Sequence, residues 1–181
     1  YTLRDSMAED VARTLQAVAG IGYREVEFAG YFDRPASEIR ELLSRFGLRA
    51  PSTHVSGSVV REDPAAFVET AAEIGHDYVT IAWMEEALRQ SVADWQRWAD
   101  DANRLGELCR QHGMRAAYHN HDFEFRAIGG VVPFDLLLAE TDPGLVDFEL
   151  ELTCYDSFGL VRTMRRDYSH RTRQFPIIVD F

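Results

Sequence analysis

The strongest constraint on this chain is a unit that recurs along it. Each unit is a stretch of helical periodicity, a glycine just past its end, and a short apolar run closing on a polar or aromatic residue. Gly22 precedes "YREVEFAG", Gly47 precedes "LRAPSTH", Gly75 precedes "HDYVTIAW" and Gly113 precedes "MRAAYHNH", at spacings of 25, 28 and 38 residues. Each glycine stands where a left-handed helix stop is wanted, because glycine enters that region with no Cβ penalty. Asp63 before Pro64, and Ser91 with Asp94 three residues on, carry the capping chemistry of helix starts. Between the caps, apolar residues keep helical spacing, as in Ile39, Leu42, Leu43 and Phe46, or Trp95, Trp98, Ala102, Leu105 and Leu108.

Strands that alternate regularly with helices imply parallel pairing through right-handed crossovers. That leaves an open doubly wound sheet or a (β/α) barrel. A dinucleotide-binding sheet would show a glycine-rich phosphate turn after its first strand, and neither G-x-G-x-x-G nor G-x-x-x-x-G-K-[ST] occurs. The barrel is favoured by the polar residues at the strand ends, where such barrels collect their chemistry: Glu27, His54, Trp83, His119 with His121, and Glu149 with Glu151. A complete barrel needs about 250 residues, and this chain has 181. The expectation is one α/β domain over residues 1–181, an incomplete (β/α)8 barrel. Its strand 1 is truncated to a tail at Tyr1, strands 2 to 6 are whole, strand 7 ends at Phe181 and strand 8 is missing. Such a barrel would expose strand edges at both ends.

Charge narrows the function. Thirty acidic residues against 19 basic ones give a net charge of -11, which repels nucleic acid and anionic membrane surfaces. The one dense basic stretch, Arg162 to Arg173, also carries Asp167 and reads as a helix face. Two cysteines, Cys109 and Cys154, are too few for a disulfide framework and too isolated for a zinc cage. No apolar run approaches the roughly 20 residues of a membrane span. The expected location is the cytoplasm, with export left open because the chain opens without Met.

In the run from Leu145 to Leu152, Val146, Phe148, Leu150 and Leu152 share one face while Asp147, Glu149 and Glu151 share the other. An inward row of acids is costly unless something there uses the charge. Glu25 and Glu27 alternate the same way, with a solvated edge strand as the plain alternative. In "AYHNHDFEF", a period of two puts His119 and His121 on one side of a strand end, with Glu124 following on the turn. Two imidazoles and a carboxylate there can bind a divalent metal or move protons. Trp95, Trp98 and Phe67 read as core, Cys109 as a buried helix residue, and His76, His112 and His170 as solvated; Cys154 has a weaker claim to the pocket.

"YTLRD", "GYREVEFAG", "LRAPSTHV", "YHNHDFEF" and "VDFELEL" occur in this order over residues 1 to about 152. Together they resemble the xylose isomerase-like sugar phosphate isomerase/epimerase superfamily. The resemblance implies a TIM barrel that binds a small-molecule sugar substrate. It also implies one divalent ion, manganese first and otherwise magnesium, cobalt or zinc. The implied reaction is metal-assisted proton transfer next to the carbonyl of a ketose or keto-sugar. By the same resemblance Glu151 falls on a metal-binding acid, and His119 and Glu124 fall near positions that ligate the metal or carry the acid/base step. Arg4, Glu27, His54, Trp83 and His121 fall on substrate-binding positions.

The end of the chain departs from the pattern. "FPIIVDF", from Phe175, lacks the His and Lys that relatives supply on strand 7. Three alternatives therefore stay open: a lyase or a hydrolase acting on keto-sugars or inososes, and a non-catalytic sugar-binding remnant. Endonuclease IV-like cleavage is disfavoured by the acidic charge. Homo-oligomerisation is left open.

Overall fold

The computed structural model describes residues 2–150 together with the backbone of residues 172–173 and 179–180. Two short N-terminal helices, α1 (Arg4–Glu9) and α2 (Val11–Ile21), lead into β1 (Glu25–Phe28). Then follow α3 (Ala36–Phe46), β2 (Arg49–Ser56), α4 (Gly57–Glu62), α5 (Pro64–Ile74), β3 (Tyr78–Trp83), α6 (Val92–Gln111), β4 (Arg115–His119), α7 (Pro133–Glu140) and β5 (Val146–Glu149). Two two-residue strands are also described, β6 (Thr172–Arg173) and β7 (Val179–Asp180). All pairings are parallel, in the order β6-β5-β4-β3-β2-β1-β7. The architecture is a partial parallel barrel, one of the two that the alternation of units allows.

The helix boundaries follow from the local chemistry. The Asp63 side chain accepts from the Ala65 N–H with Pro64 in the first turn of α5. Ser91 and Asp94 close a reciprocal capping box at the start of α6. The helix-ending glycines Gly22, Gly47, Gly75 and Gly113 all take positive φ, between 64° and 117°. At Gly47 the next residue's N–H reaches back to Leu43 O at 2.9 Å, which satisfies a carbonyl that the helix end leaves open.

The strands' apolar side chains point outward. Val55, Val79, Ile81, Tyr118, Val146 and Phe148 pack with Trp95, Trp98, Leu105 and Phe134 of the helix layer. A second cluster joins Val26 and Phe28 to Met7, Leu15, Ile39 and Leu43. The inward faces are therefore polar on every long strand: Glu27, Ser52 and His54, Thr80, His119, Asp147 and Glu149. Ser52 and Thr80 share a hydrogen bond at 2.8 Å in this interior, and both are fully buried. Asp147, low in the barrel, is answered by Arg115, whose Nε and Nη2 donate to its two carboxylate oxygens at 2.6 and 3.1 Å. The same guanidinium donates to Gly144 O and Pro143 O, tying the barrel floor together. Glu25 is matched by Arg49 at 3.0 Å.

Three expectations need correction or limiting. The strand inside "FPIIVDF" lies beside β1, not beside β5, and the neighbour of β5 is Thr172–Arg173. Val26 and Glu27 on the outer edge of β1, and Phe148 and Glu149 on that of β5, thus have strand partners, so neither edge stands wholly open. The first regular element is the helix at Arg4, and Tyr1 lies outside the described residues. His76 is buried, not solvated. Its Nδ1–H donates to Ala50 O at 2.7 Å and its ring stacks on Tyr31, and burial pushes its pKa down against that hydrogen bond and the nearby Asp77 and Glu27 charges. Trp95, Trp98 and Cys109 are in the core as expected, and burial pushes the Cys109 thiol up to about 12.

Candidate active site at the strand ends

The C-terminal ends of β2, β3 and β4 surround a cavity of about 580 Å³, within the range of small-molecule sites. His54, Trp83, His119 and His121 line it, together with Ala29 and Ser56. Parallel pairing makes this convergence automatic. The register sets His54 beside Thr80, and His119 beside Glu149, so inward side chains of neighbouring strands meet at one level.

Two imidazole–carboxylate contacts face each other there. His54 Nε2 lies 3.1 Å from Glu27 Oε2, and His119 Nδ1 lies 3.2 Å from Glu149 Oε1. The His54 and His119 rings are 5.2 Å apart between centroids, and His119 and His121 are 5.3 Å apart. His121 also stacks on Phe123 and meets the edge of Trp83. Trp83, 49% exposed, offers its ring at the rim.

Electrostatics separates the two carboxylates. Burial raises the Glu149 pKa above the usual carboxylate range, and the Glu27 charge adds to this while His119 opposes it. Burial also works to raise Glu27, but the hydrogen bond and charge of His54 outweigh it, and its pKa falls below the usual value. Glu27 Oε1 and Glu149 Oε2 are buried and meet no hydrogen-bond donor among the described residues.

Donor atoms of His54, His119 and Glu149 all lie within 4.8 Å of one another. With its unmatched carboxylate oxygen and two imidazoles, this set fits a divalent metal ion.

The sequence-based candidates are only partly brought together. His54, Trp83, His119 and His121 line the cavity, and Glu27 stands behind His54. Glu124, expected beside the imidazoles as ligand or base, lies 3.8 Å from His121 Nδ1 and is fully buried in the turn after β4. Its carboxylate accepts from the Tyr118 O–H at 2.7 Å and from the His121 N–H at 2.9 Å. Tyr118 belongs to the outward-facing cluster, so these bonds hold Glu124 in the turn and position His121. Arg4 sits half-exposed on α1, 3.8 Å from Asp5, and is not among the residues lining the cavity. Glu151 and Cys154 lie outside the described residues. Glu149 is the residue that sequence reasoning left unassigned. Its signal was present in the alternation of Asp147 and Glu149, and only the register with His119 decides between the two.

A parallel α/β barrel whose strand ends carry imidazole–carboxylate pairs defines a class of protein, and the fold is that of the xylose isomerase-like TIM barrels. A sugar phosphate isomerase/epimerase structure from Parabacteroides distasonis superimposes with a TM-score of 0.79 over 95% of this chain and 70% of its own, at 22% identity. A D-psicose 3-epimerase structure in the presence of D-fructose gives a TM-score of 0.62 over 80% of this chain and 60% of its own, at 14% identity. In sequence, the inosose dehydratase of Bacillus licheniformis is 26% identical over 155 residues, covering 73% of this chain. The inosose dehydratase of Salmonella typhimurium is 24% identical over 152 residues, also covering 73%. This chain spans about half the length of these curated relatives, 49% and 50%. No family model matches it.

Proposed function

We propose that the protein to which this chain belongs is an isomerase or epimerase. It would act on a ketose or keto-sugar and move a proton at the carbon next to the carbonyl. The observation that carries this reading is the placement of His119–Glu149 opposite His54–Glu27 at the mouth of the cavity. One imidazole supported by a carboxylate can take a proton from carbon, and the other can hold a substrate hydroxyl or return the proton on the far side. Glu149 keeps the His119 ring oriented, and Glu27 does the same for His54. The exposed Trp83 ring suits the C–H face of a sugar, with His121 beside it for a hydroxyl. Held instead as a ligand set, His54, His119 and Glu149, with Glu151 as a further candidate, could carry a divalent ion that would polarise the carbonyl and stabilise the charge developing on its oxygen; a metal-bound imidazole has no lone pair left for a proton, so in that state His54 and His119 would serve as ligands and not as the base.

The inosose dehydratase relatives favour a second reading within the same chemistry. If the carbon next to the deprotonated centre carries a hydroxyl, the same proton abstraction leads to loss of water, and the enzyme is a lyase. Among the described residues no helix is long and apolar enough to cross a membrane. The net charge of -11 supports a small-molecule sugar substrate over a nucleic-acid partner. The intact protein, incubated with a panel of ketoses and inososes, should convert at least one of them. Product identification separates isomer from dehydrated product, and His119→Ala should abolish the conversion. Unchanged turnover in that variant would remove His119 from the reaction.

A further inference from the structure

We propose that Arg89 is a positioning residue for the sugar-facing corner of the cavity. Its guanidinium, laid on Phe123, fixes the His121 and Trp83 rings at right angles to each other. The inference rests on the proposed function only in taking Trp83 and His121 as the groups that meet the sugar. The ring arrangement itself does not depend on that reading.

Two loops meet at this corner. Trp83 ends β3 and Arg89 follows in the loop before α6, while His121 and Phe123 belong to the turn after β4. His121 and Phe123 lie nearly parallel, their centroids 5.1 Å apart and their planes at 10°. Trp83 stands across both, at 85° to His121 and 89° to Phe123. The guanidinium carbon of Arg89 is 3.5 Å from the centre of the Phe123 ring and 5.8 Å from that of Trp83. Of these four residues, Trp83 and His121 line the cavity. Phe123 and Arg89 hold them from outside it.

Arg89 is itself fixed from below. Its Nε–H donates to Met84 O at 3.2 Å, and the Trp98 Nε1–H donates to Leu88 O at 2.9 Å, which ties the residue before Arg89 to α6. Arg97, Arg104 and Arg115 are each matched with an aspartate. Arg89 forms no ion pair among the described residues, although the chain carries 30 acidic residues. Its contacts go to rings instead, where a guanidinium is attracted by the ring quadrupole and stacks through its own plane.

His121 needs such a support. Glu124 fixes its backbone N–H, but the same carboxylate stands 3.8 Å from the ring Nδ1, beyond hydrogen-bond distance. The orientation of the imidazole is therefore left to packing, and Phe123 supplies the parallel face. Without the guanidinium, the half-buried Phe123 ring loses the contact that joins it to the β3–α6 loop. His121 and Trp83 then lose their common angle, and a polar contact misplaced by a fraction of an ångström weakens binding.

The test reads ring geometry and kinetics separately. In the NMR spectrum of the chelator-treated intact protein, the imidazole protons of His121 should be shifted upfield by the stacked Phe123 ring. Phe123→Leu should remove the shift and so assign it. Arg89→Met, which keeps a long apolar stem without the cation, should remove at least half of it at the same pH, and Arg89→Lys should retain more than Arg89→Met. With a substrate converted from the ketose and inosose panel, Arg89→Met should raise KM by about 3–30-fold. The kcat should change by less than about threefold, because the groups that move the proton stay in place. Circular dichroism checks folding, and Arg89→Gln serves if Arg89→Met does not fold. A His121 shift unchanged in the Arg89 variants, or a fall in kcat at constant KM, overturns the proposal. If the shift responds as expected and no sugar is converted, the positioning role stands and the proposed reaction is overturned instead.

Discussion

His119 and Glu149 occupy matching positions on adjacent parallel strands, and their side chains meet inside the barrel with Nδ1 3.2 Å from Oε1. The contact leaves the second carboxylate oxygen of Glu149 buried without a donor among the described residues. Burial and the facing Glu27 charge make this an expensive place for a carboxylate. Glu149→Gln should therefore raise the thermal midpoint of the metal-free protein by a few degrees, about 0.5–2 kcal/mol, while removing activity. Calorimetry and turnover on the same preparation check it. A variant that is both less stable and fully active contradicts the account.

At the opposite end of the barrel the same kind of pair has a purely structural task. Arg115 holds Asp147 through two hydrogen bonds and joins it to the carbonyls of Pro143 and Gly144. Arg115→Ala leaves a buried carboxylate without its partner, and about 2–3 kcal/mol of stability should be lost, since the arginine is itself partly exposed. Urea unfolding measures the loss, and metal affinity at the mouth should not change.

Two helical glycines give opposite outcomes on substitution. A Cβ on Gly106 would stand 2.8 Å from Leu145 Cβ and 3.1 Å from Leu145 O, where α6 presses on the chain entering β5. Gly106→Ala should destabilise by about 1–3 kcal/mol despite its better helix propensity. Gly20, in α2, has nothing within 4 Å of the same position, and Gly20→Ala should stabilise by about 0.4–1 kcal/mol. Paired denaturation curves decide, and a loss at Gly20 would contradict the open surface assigned to it.

His76 sets a pH dependence. Its folded pKa lies below the unfolded value of about 6.5 because burial disfavours the imidazolium. The unfolded chain therefore binds the proton first. The stability His76 contributes is present above pH 6.5 and is lost as the pH falls through the folded pKa. Thermal midpoints between pH 5 and 7.5 should fall more steeply on acidification in the wild type than in His76→Gln. Equal slopes would show that His76 is not the group responsible.

Much of this was legible in the sequence because it rests on short-range chemistry. The glycines that stop α2, α3 and α5, and the one following α6, and the caps at Asp63 and Ser91 are local signals. Alternation in β5 identified the inward acids. Three features lie beyond such signals. A two-residue strand such as Val179–Asp180 has no period to read, and its pairing with β1 is set by which edge needs a partner. The orientation of Glu124 depends on Tyr118 facing the helix layer, which alternation implies only once the strand's own face is known. Whether Asp147 or Glu149 reaches His119 is a question of register between strands, and sequence spacing within one strand does not contain it. His76 misled because a polar residue after a helix stop is usually solvated, and here the ring fills a gap beside Phe28 and Tyr31.

The central claim is that the paired imidazoles at the strand ends move a proton next to a carbonyl. It is tested most directly by solvent deuterium incorporation at that carbon, followed by NMR with the intact protein and a substrate it converts. The account predicts enzyme-dependent incorporation that falls by about 10²–10⁴-fold in His119→Ala. Conversion of substrate with no deuterium at the carbon next to the carbonyl, or incorporation unchanged in His119→Ala, would contradict it.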